Sequence, residues 1–291
     1  MYSNRQHSEI CRMLLKYRGN AGHLKPNSEM MLNKVQKKAV SKFNWTIGKY
    51  VDIIDAITEL AISRTSSTVF FAGAHMFFEA HKSKDFLALV NKADIVAPDG
   101  KPVVWILRLL YGIKQERVAG MDAISDLLQR MEKEQLPVYF YGGSQAMLDK
   151  SEVYIRKAYP KLIVAGSYSP PFRELTEPEQ EEIVTNINAV SPAIVFVILG
   201  CPRQERWAAA MKGRINAVIA AVGAAIPVAV GMNKRAPVWM QQSGLEWLYR
   251  LFQEPRRLFK RYARANSLFI WVMFKEFLKV RLLAPLKLSK A

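Results

Sequence analysis

The chain has 291 residues, is 50% hydrophobic and carries a formal net charge of +17. That is ample for one sizeable core with an appendage. Two cysteines, Cys11 and Cys201, exclude a disulfide framework and point to a reducing compartment, and no stretch reaches the ~18 consecutive apolar residues of a spanning helix, the longest candidate being Leu268 to Phe274.

The charge is unevenly spread. Residues 1–45 carry a net +7, residues 46–233 are neutral, and residues 234–291 carry +10. Basic ends suggest nucleic acid, anionic lipid or phosphorylated substrates. The first twenty positions are interrupted by polar and charged residues, so no secretory leader is expected.

Residues 1–45 read as a basic, mobile arm with one helical piece around Met30–Ser41. From Thr46 the pattern is regular, with Val51, Ile54, Ile57 and Ala61 at helical spacing. Thr68–Gly73 reads as a strand and His75–Lys92 as a helix. Asp94–Ala97 is a second strand, closed by Pro98-Asp99-Gly100 and followed by a helix through Trp105 to Leu110. Arg117–Gly120 reads as a short strand before a helix over Met121–Gln135. Pro137–Tyr141 is a strand, Gly142-Gly143-Ser144 a turn, and Ser144–Tyr159 a helix. Leu162–Gly166 is a strand. Thr176-Glu177-Pro178-Glu179 has capping-box spacing and starts a helix. Ala193–Leu199 is an almost wholly apolar strand, the pattern of burial on both faces. A helix over Gln204–Met211 and a strand over Ala217–Val222 follow. Strands alternating with helices imply an α/β fold: a Rossmann-like, mostly parallel sheet flanked by helices, over 46–233.

Such a sheet gathers its strand carboxyl ends on one edge, where ligands bind. Four loops fall there: 98–100, 142–144, 200–205 and 223–225. Glycines let backbone N–H groups approach a phosphate, and a following helix N-terminus favours anions. Alone, an Asp-Gly pair makes a turn or caps a helix, and Gly-Gly-Ser is a plain turn. Gln204 and Glu205 can recognise a base or sugar hydroxyls, or merely cap and solvate a helix. The absences narrow the chemistry. There is no G-x-G-x-x-G after the first strand, no P-loop, no G-x-S-x-G elbow, no zinc spacing among His7, His23, His75, His81 and the cysteines, and no Asp-x-Asp pair.

Residues 234–291 read as a helical appendage. After Pro255, Arg257, Lys260, Arg261 and Arg264 share one helical face. Leu258, Tyr262, Phe269 and Met273 lie opposite, with Phe259 and Phe277 beside them. A basic amphipathic helix with aromatics reads as membrane-surface binding; docking on the domain is the alternative.

Several motifs occur together: Pro98-Asp99-Gly100, Gly200-x-Pro-x-Gln-Glu-x-Trp207, Arg235-Ala-Pro-x-Trp239, Gly244-Leu-Glu-Trp-Leu-Tyr-Arg-Leu251, Glu254-Pro-x-Arg257 and Arg261-Tyr262. In this order, over roughly Trp45–Tyr262, they resemble the WecG/TagA/CpsF glycosyltransferases (glycosyltransferase family 26). The resemblance implies an α/β fold and inverting transfer from a UDP-sugar to a polyprenyl-diphosphate-linked sugar. It implies no required metal or other cofactor, and a bacterial cell-envelope polysaccharide as product. The place implied is peripheral, on the cytoplasmic face of the inner membrane at its anionic surface, with a C-terminal appendage that completes the site. Asp99 would be the general base. Gly142, Gly143, Gln204 and Glu205 would hold the donor, with Gly100 a further substrate-binding position. Arg250 and Arg257, with Arg235 behind them, would stabilise the leaving diphosphate. The chain departs from the family at Ala74-His75, where members often carry Thr/Asn, which puts His75 at an acceptor-side position. A homo-oligomer is compatible with this reading. The alternative from charge alone is a basic nucleic-acid-binding protein, but the neutral sheet region shows no DNA- or RNA-reading motif.

Overall fold

The computed structural model describes residues 35–223, 225–232 and 234–283, with side chains to residue 280. It begins with an antiparallel hairpin, β1 (Gln36–Val40) and β2 (Phe43–Ile47). Here the sequence reading needs correction. Of the helix expected over 30–41, positions 30–34 lie outside the described residues and 36–40 are strand. The cause is the turn: Ser41 and Lys42 both have positive φ, 51° and 69°, the geometry that matches the twist of two paired strands. Val40, Phe43 and Trp45 are then buried in the core. The expected arm boundary at residue 45 thus falls inside a hairpin that belongs to the domain. The Thr46 hydroxyl accepts a hydrogen bond from the Val96 N–H at 2.8 Å, which helps to cover that edge of the main sheet.

The remaining elements of the domain are α1 (Tyr50–Ile62), β3 (Ser67–Ala72), α2 (Ala74–Lys82), α3 (Lys84–Lys92), β4 (Ile95–Pro98), α4 (Lys101–Tyr111) and α5 (Gly120–Lys133). Then come β5 (Val138–Gly142), α6 (Gln145–Ala158), β6 (Val164–Tyr168), α7 (Glu177–Ala189), β7 (Ile194–Ile198), α8 (Arg203–Met211), β8 (Val218–Ala221) and α9 (Ala225–Ala229). The six strands β3–β8 form one sheet in the order β4-β3-β8-β7-β5-β6, every pair parallel.

Alternation along each strand explains the apolar runs. Ile194, Phe196 and Ile198 of β7 join a core with α1, α5, α6 and α9. Val195 and Val197 join a second core with α2, α3, α4, α7 and α8. Both faces of the sheet are covered, so no position in the run can be polar. The capping box at Thr176 and Glu179 forms as expected. Two elements differ. The helix expected over His75–Lys92 breaks at Ser83, whose backbone is extended (φ −131°, ψ 113°) and whose hydroxyl caps α3 through the Phe86 N–H. Residues 117–119 are a loop, not a strand; Val118 N–H donates to the Pro98 carbonyl at 3.0 Å, which holds the loop beside the end of β4.

The appendage comprises α10 (Val238–Gln242), α11 (Glu246–Gln253) and the long α12 (Pro255–Leu283). Helix α12 is docked on the domain. Leu258, Ala265, Phe269, Val272 and Met273 are buried, the last three within the core that includes Phe77 of α2. Each large side chain buried this way contributes on the order of 1.5–3 kcal/mol, enough together to fix the helix. This reassigns the apolar stripe of the appendage: Phe269 and Met273 face the domain. The outward apolar residues of α12 are Phe259, Ile270, Trp271, Phe274 and Leu278.

Candidate active site

The carboxyl ends of the strands and the appendage enclose a cleft of about 700 Å³. All four loops singled out in the sequence reach it, through Asp99, Gly100, Gly143, Gln204, Glu205 and Gly223. A fifth segment, Gly73-Ala74-His75 at the end of β3, joins them.

Asp99 lies in the cleft floor. Its N–H donates to the Ala72 carbonyl at 2.9 Å, tying the end of β4 to β3. That approach requires glycine at position 73, because a Cβ there would lie 2.8 Å from the Asp99 carbonyl oxygen. Gly100 then turns the chain into α4 at φ +124°, a conformation that strains any other residue. The Asp99 side chain keeps 33% of its surface open to the cleft. The Gly120 N–H approaches Oδ2 at 3.4 Å, and Arg117 Nη2 lies 3.8 Å from Oδ1. Desolvation pushes the Asp99 carboxyl up to about 6, opposed by Arg117 and reinforced by Glu246. A carboxylate of that proton affinity is ionised at neutral pH yet basic enough to take a proton.

Glu205 is fully buried. One of its oxygens accepts from Gln204 Nε2 at 2.7 Å, and Oε2 has no hydrogen-bond partner. Burial pushes its carboxyl up to about 7, against the hydrogen bonds from Gln204 and Cys201. Gln204 Oε1 in turn accepts the Gly200 N–H at 3.1 Å. Gln204 therefore holds its own loop as well as lining the cleft. Gly223 is close-packed on it: a Cβ there would lie 2.9 Å from Gln204 Oε1. Trp207 of the same motif is structural, stacking on Tyr141 at 3.9 Å between centroids.

His75 lines the cleft with a neutral ring. Burial, with Arg261 nearby, pushes it down to about 4, and its Nδ1 has no partner. The appendage supplies Glu246, Arg250, Arg257, Arg261 and Tyr262 to the same wall. Arg257 is held by Glu254 at 2.6 Å. No residues among those described group three His, Cys, Asp or Glu side chains as a metal site.

Two predicted site residues lie elsewhere. Arg235 pairs with Asp122 and lines a separate, smaller pocket beside Tyr50 and Asp126. Gly142 lies beneath the cleft surface, where its missing Cβ makes room for the backbone of Ile198, 2.9 Å away. Arg261 lines the cleft and, like Lys260 and Arg264, is exposed. The sequence reading missed Arg117 and Glu246. Their ion pair, Nη2 to Oε2 at 2.6 Å, joins segments 129 residues apart. Charge placement along the sequence carries no signal for such a pair.

A parallel sheet with a partly desolvated carboxylate at its carboxyl edge and arginines lining the same cleft is an arrangement suited to group transfer. The comparisons specify it. Residues 40–282 match the model of the glycosyl transferase WecG/TagA/CpsF family, and the chain belongs to that family. It is a glycosyltransferase, which decides against the nucleic-acid-binding alternative. A similar protein is the N-acetylglucosaminyldiphosphoundecaprenol N-acetyl-beta-D-mannosaminyltransferase of Bacillus spizizenii strain W23. It is 27% identical over 225 residues, covering 77% of this chain and 86% of the relative. The protein of the same name from Bacillus subtilis strain 168 is 32% identical over 181 residues, 62% of this chain and 69% of the relative.

Proposed function

We propose that the protein transfers a sugar, with inversion and without a metal, from a UDP-sugar to a sugar carried on a polyprenyl diphosphate. The observation that carries this reading is the position of Asp99, open to a cleft also lined by Arg250, Arg257 and Arg261. A base and a cationic wall in one cleft suit a displacement in which a hydroxyl attacks and a diphosphate leaves. Both relatives are named for N-acetylmannosaminyl transfer to N-acetylglucosaminyldiphosphoundecaprenol, and an acceptor of that class is our reading for this chain.

In that mechanism the acceptor hydroxyl binds near Asp99 and gives it a proton as its oxygen attacks the anomeric carbon. Attack from the face opposite the diphosphate inverts that carbon. The bond to UDP breaks, and negative charge grows on the diphosphate. Arg250 and Arg257 neutralise it with charge-assisted hydrogen bonds, Arg261 beside them. Glu205 and Gln204 hold the donor from the sheet side, and Gly143 lets a phosphate approach the backbone.

The enzyme would work as a peripheral protein at an anionic membrane. No helix among the described residues is long and apolar enough to cross one. Helix α12 exposes Ile270 (67%) and Trp271 (54%) beside Phe274, with Lys275 Nζ 3.6 Å from the Trp271 ring. Trp105 and Leu109 of α4 are exposed too. Aromatics rimmed by cations suit a headgroup boundary.

The test is release of UDP across a panel of UDP-sugars with a polyprenyl-diphosphate-sugar acceptor, in excess EDTA and with added Mg²⁺. Turnover with one donor, insensitive to EDTA, is expected. Strict dependence on added metal would count against an arginine-assisted leaving group.

A further inference from the structure

One guanidinium nitrogen serves two carboxylates in the cleft. Arg117 Nη2 lies 2.6 Å from Glu246 and 3.8 Å from Asp99. Arg117 and Glu246 are both well buried, with side-chain exposures of 13% and 10%. Left with one partner, Arg117 would close on Asp99, since opposite charges in a desolvated site attract strongly. A carboxylate so paired is a poor base: the pair lowers its proton affinity and occupies the lone pairs a substrate hydroxyl must reach. The arrangement is also not the one stability alone would select. Arg117 Nε and Glu246 Oε1 are buried without hydrogen-bond partners, and such orphans cost stability.

We propose that Glu246 is a positioning residue for the base: by drawing Arg117 into its own ion pair, it keeps the guanidinium off Asp99. Glu246 stands at the first position of α11, in the appendage. Docking of the appendage therefore brings Glu246 to the site together with Arg250, the residue proposed to take the charge of the diphosphate. The base becomes free only when the cationic wall is in place. This inference rests on the reading of Asp99 as the base.

The charged groups facing Asp99 are Arg117 from the loop before α5, and Glu246 and Arg250 from α11, with the Gly120 N–H at the start of α5. Lys101 of α4 also lines the cleft. In Glu246→Gln a negative charge is lost and Arg117 is released toward Asp99. Both changes act in the same direction, lowering the proton affinity of Asp99.

The experiment uses the full chain and a water-soluble acceptor analogue. The pH profile of kcat/KM is measured for wild type, Glu246→Gln, Glu246→Asp and the double variant Arg117→Gln/Glu246→Gln. In parallel the Asp99 carboxyl is titrated by carbon NMR, its resonance assigned with Asp99→Asn. In Glu246→Gln the acid limb and the carboxyl titration should both move down by about one pH unit or more, and the plateau rate should fall severalfold. Removing Arg117 as well should reverse the shift, and Glu246→Asp, which keeps the charge, should stay near wild type. Should Glu246→Gln fail to fold, the double variant is compared with Arg117→Gln alone: a shift of Asp99 well under one pH unit is expected between them, and a downward shift of a full unit or more would mean that Glu246 acts by its own charge and not through Arg117, and overturns the proposal. A uniform loss of rate with an unmoved midpoint means that Glu246 only clamps α11, and overturns it too. So does a change confined to acceptor KM, which would place Glu246 against the acceptor. If the carboxyl titration moves and the rate profile does not, Glu246 governs Asp99 as proposed and it is the base assignment that fails.

Discussion

The ring of Phe269 meets that of Phe77 edge to face, with centroids 5.2 Å apart and planes at 75°. One ring belongs to the appendage and the other to α2, the helix that begins beside the cleft at Gly73. The contact helps to anchor α12, and with it the arginine wall of the cleft. Phe269→Ala removes the buried ring and leaves a cavity, at a cost of about 3–5 kcal/mol. Calorimetry should show a lowered melting temperature. Turnover should fall more than the folded fraction does, because the wall loosens before the sheet unfolds. A variant that melts earlier but turns over normally per folded molecule would show that the wall does not need this anchor.

Asp99→Asn should lose most transfer while keeping its fold and its affinity for UDP. Loss of a general base typically costs ~10²–10⁴ in rate. The wild-type profile should show the same group. As the proposed base, Asp99 would work only when ionised, and its carboxyl is raised to about 6. The rate should therefore fall as pH drops through about 6, and this limb should be absent from the residual activity of the Asn variant. Near-normal turnover by a folded Asn variant would remove Asp99 from the mechanism.

Cations of α12 divide by direction. Of the exposed cations of α12, Arg257 and Arg261 line the cleft and Lys260 and Arg264 do not. An Ile270/Trp271/Phe274→Ser triple variant should bind anionic liposomes much more weakly yet keep most of its turnover on a soluble acceptor. Arg257→Ala and Arg261→Ala should do the reverse. Sedimentation with vesicles and UDP release read the two properties separately. Equal losses on the soluble acceptor would merge the two faces into one structural unit.

Glu205 predicts a pH-dependent stability. Burial raises its carboxyl from 4.5 to about 7, so folding favours the protonated form. The stability linked to this proton is fully present below about 4.5 and is lost as pH rises through about 7. Glu205→Gln has no proton to lose. Its melting temperature relative to wild type should therefore increase across that window, whatever the fixed effect of the substitution. A difference that is flat from pH 4 to 8 would mean that Glu205 is not desolvated in solution.

Much of the fold could be read from local patterns. The run Ile194–Ile198 is apolar at every position because both faces of its strand are covered. Thr176 and Glu179 announce a helix start because their side chains satisfy the N–H groups that a helix leaves unpaired. The four strand-end loops could be placed on one edge because parallel strands share a direction. Asp99 was legible for the same reason: it follows a buried strand and precedes a glycine.

Tertiary structure decided the rest. A helical wheel puts Phe269 and Met273 on one side of α12 but does not say what that side meets; only docking shows that they turn inward and Ile270 and Trp271 outward. Arg235 and Arg257 both lie in family motifs, yet one is neutralised by Asp122 away from the cleft and the other lines it. The hairpin of 36–47 depends on two left-handed residues, Ser41 and Lys42, that no propensity marks. The Arg117–Glu246 pair is the clearest case. Its two charges come from distant segments, and only the folded chain, by excluding water and setting the two distances, decides which carboxylate the guanidinium holds and which it leaves free.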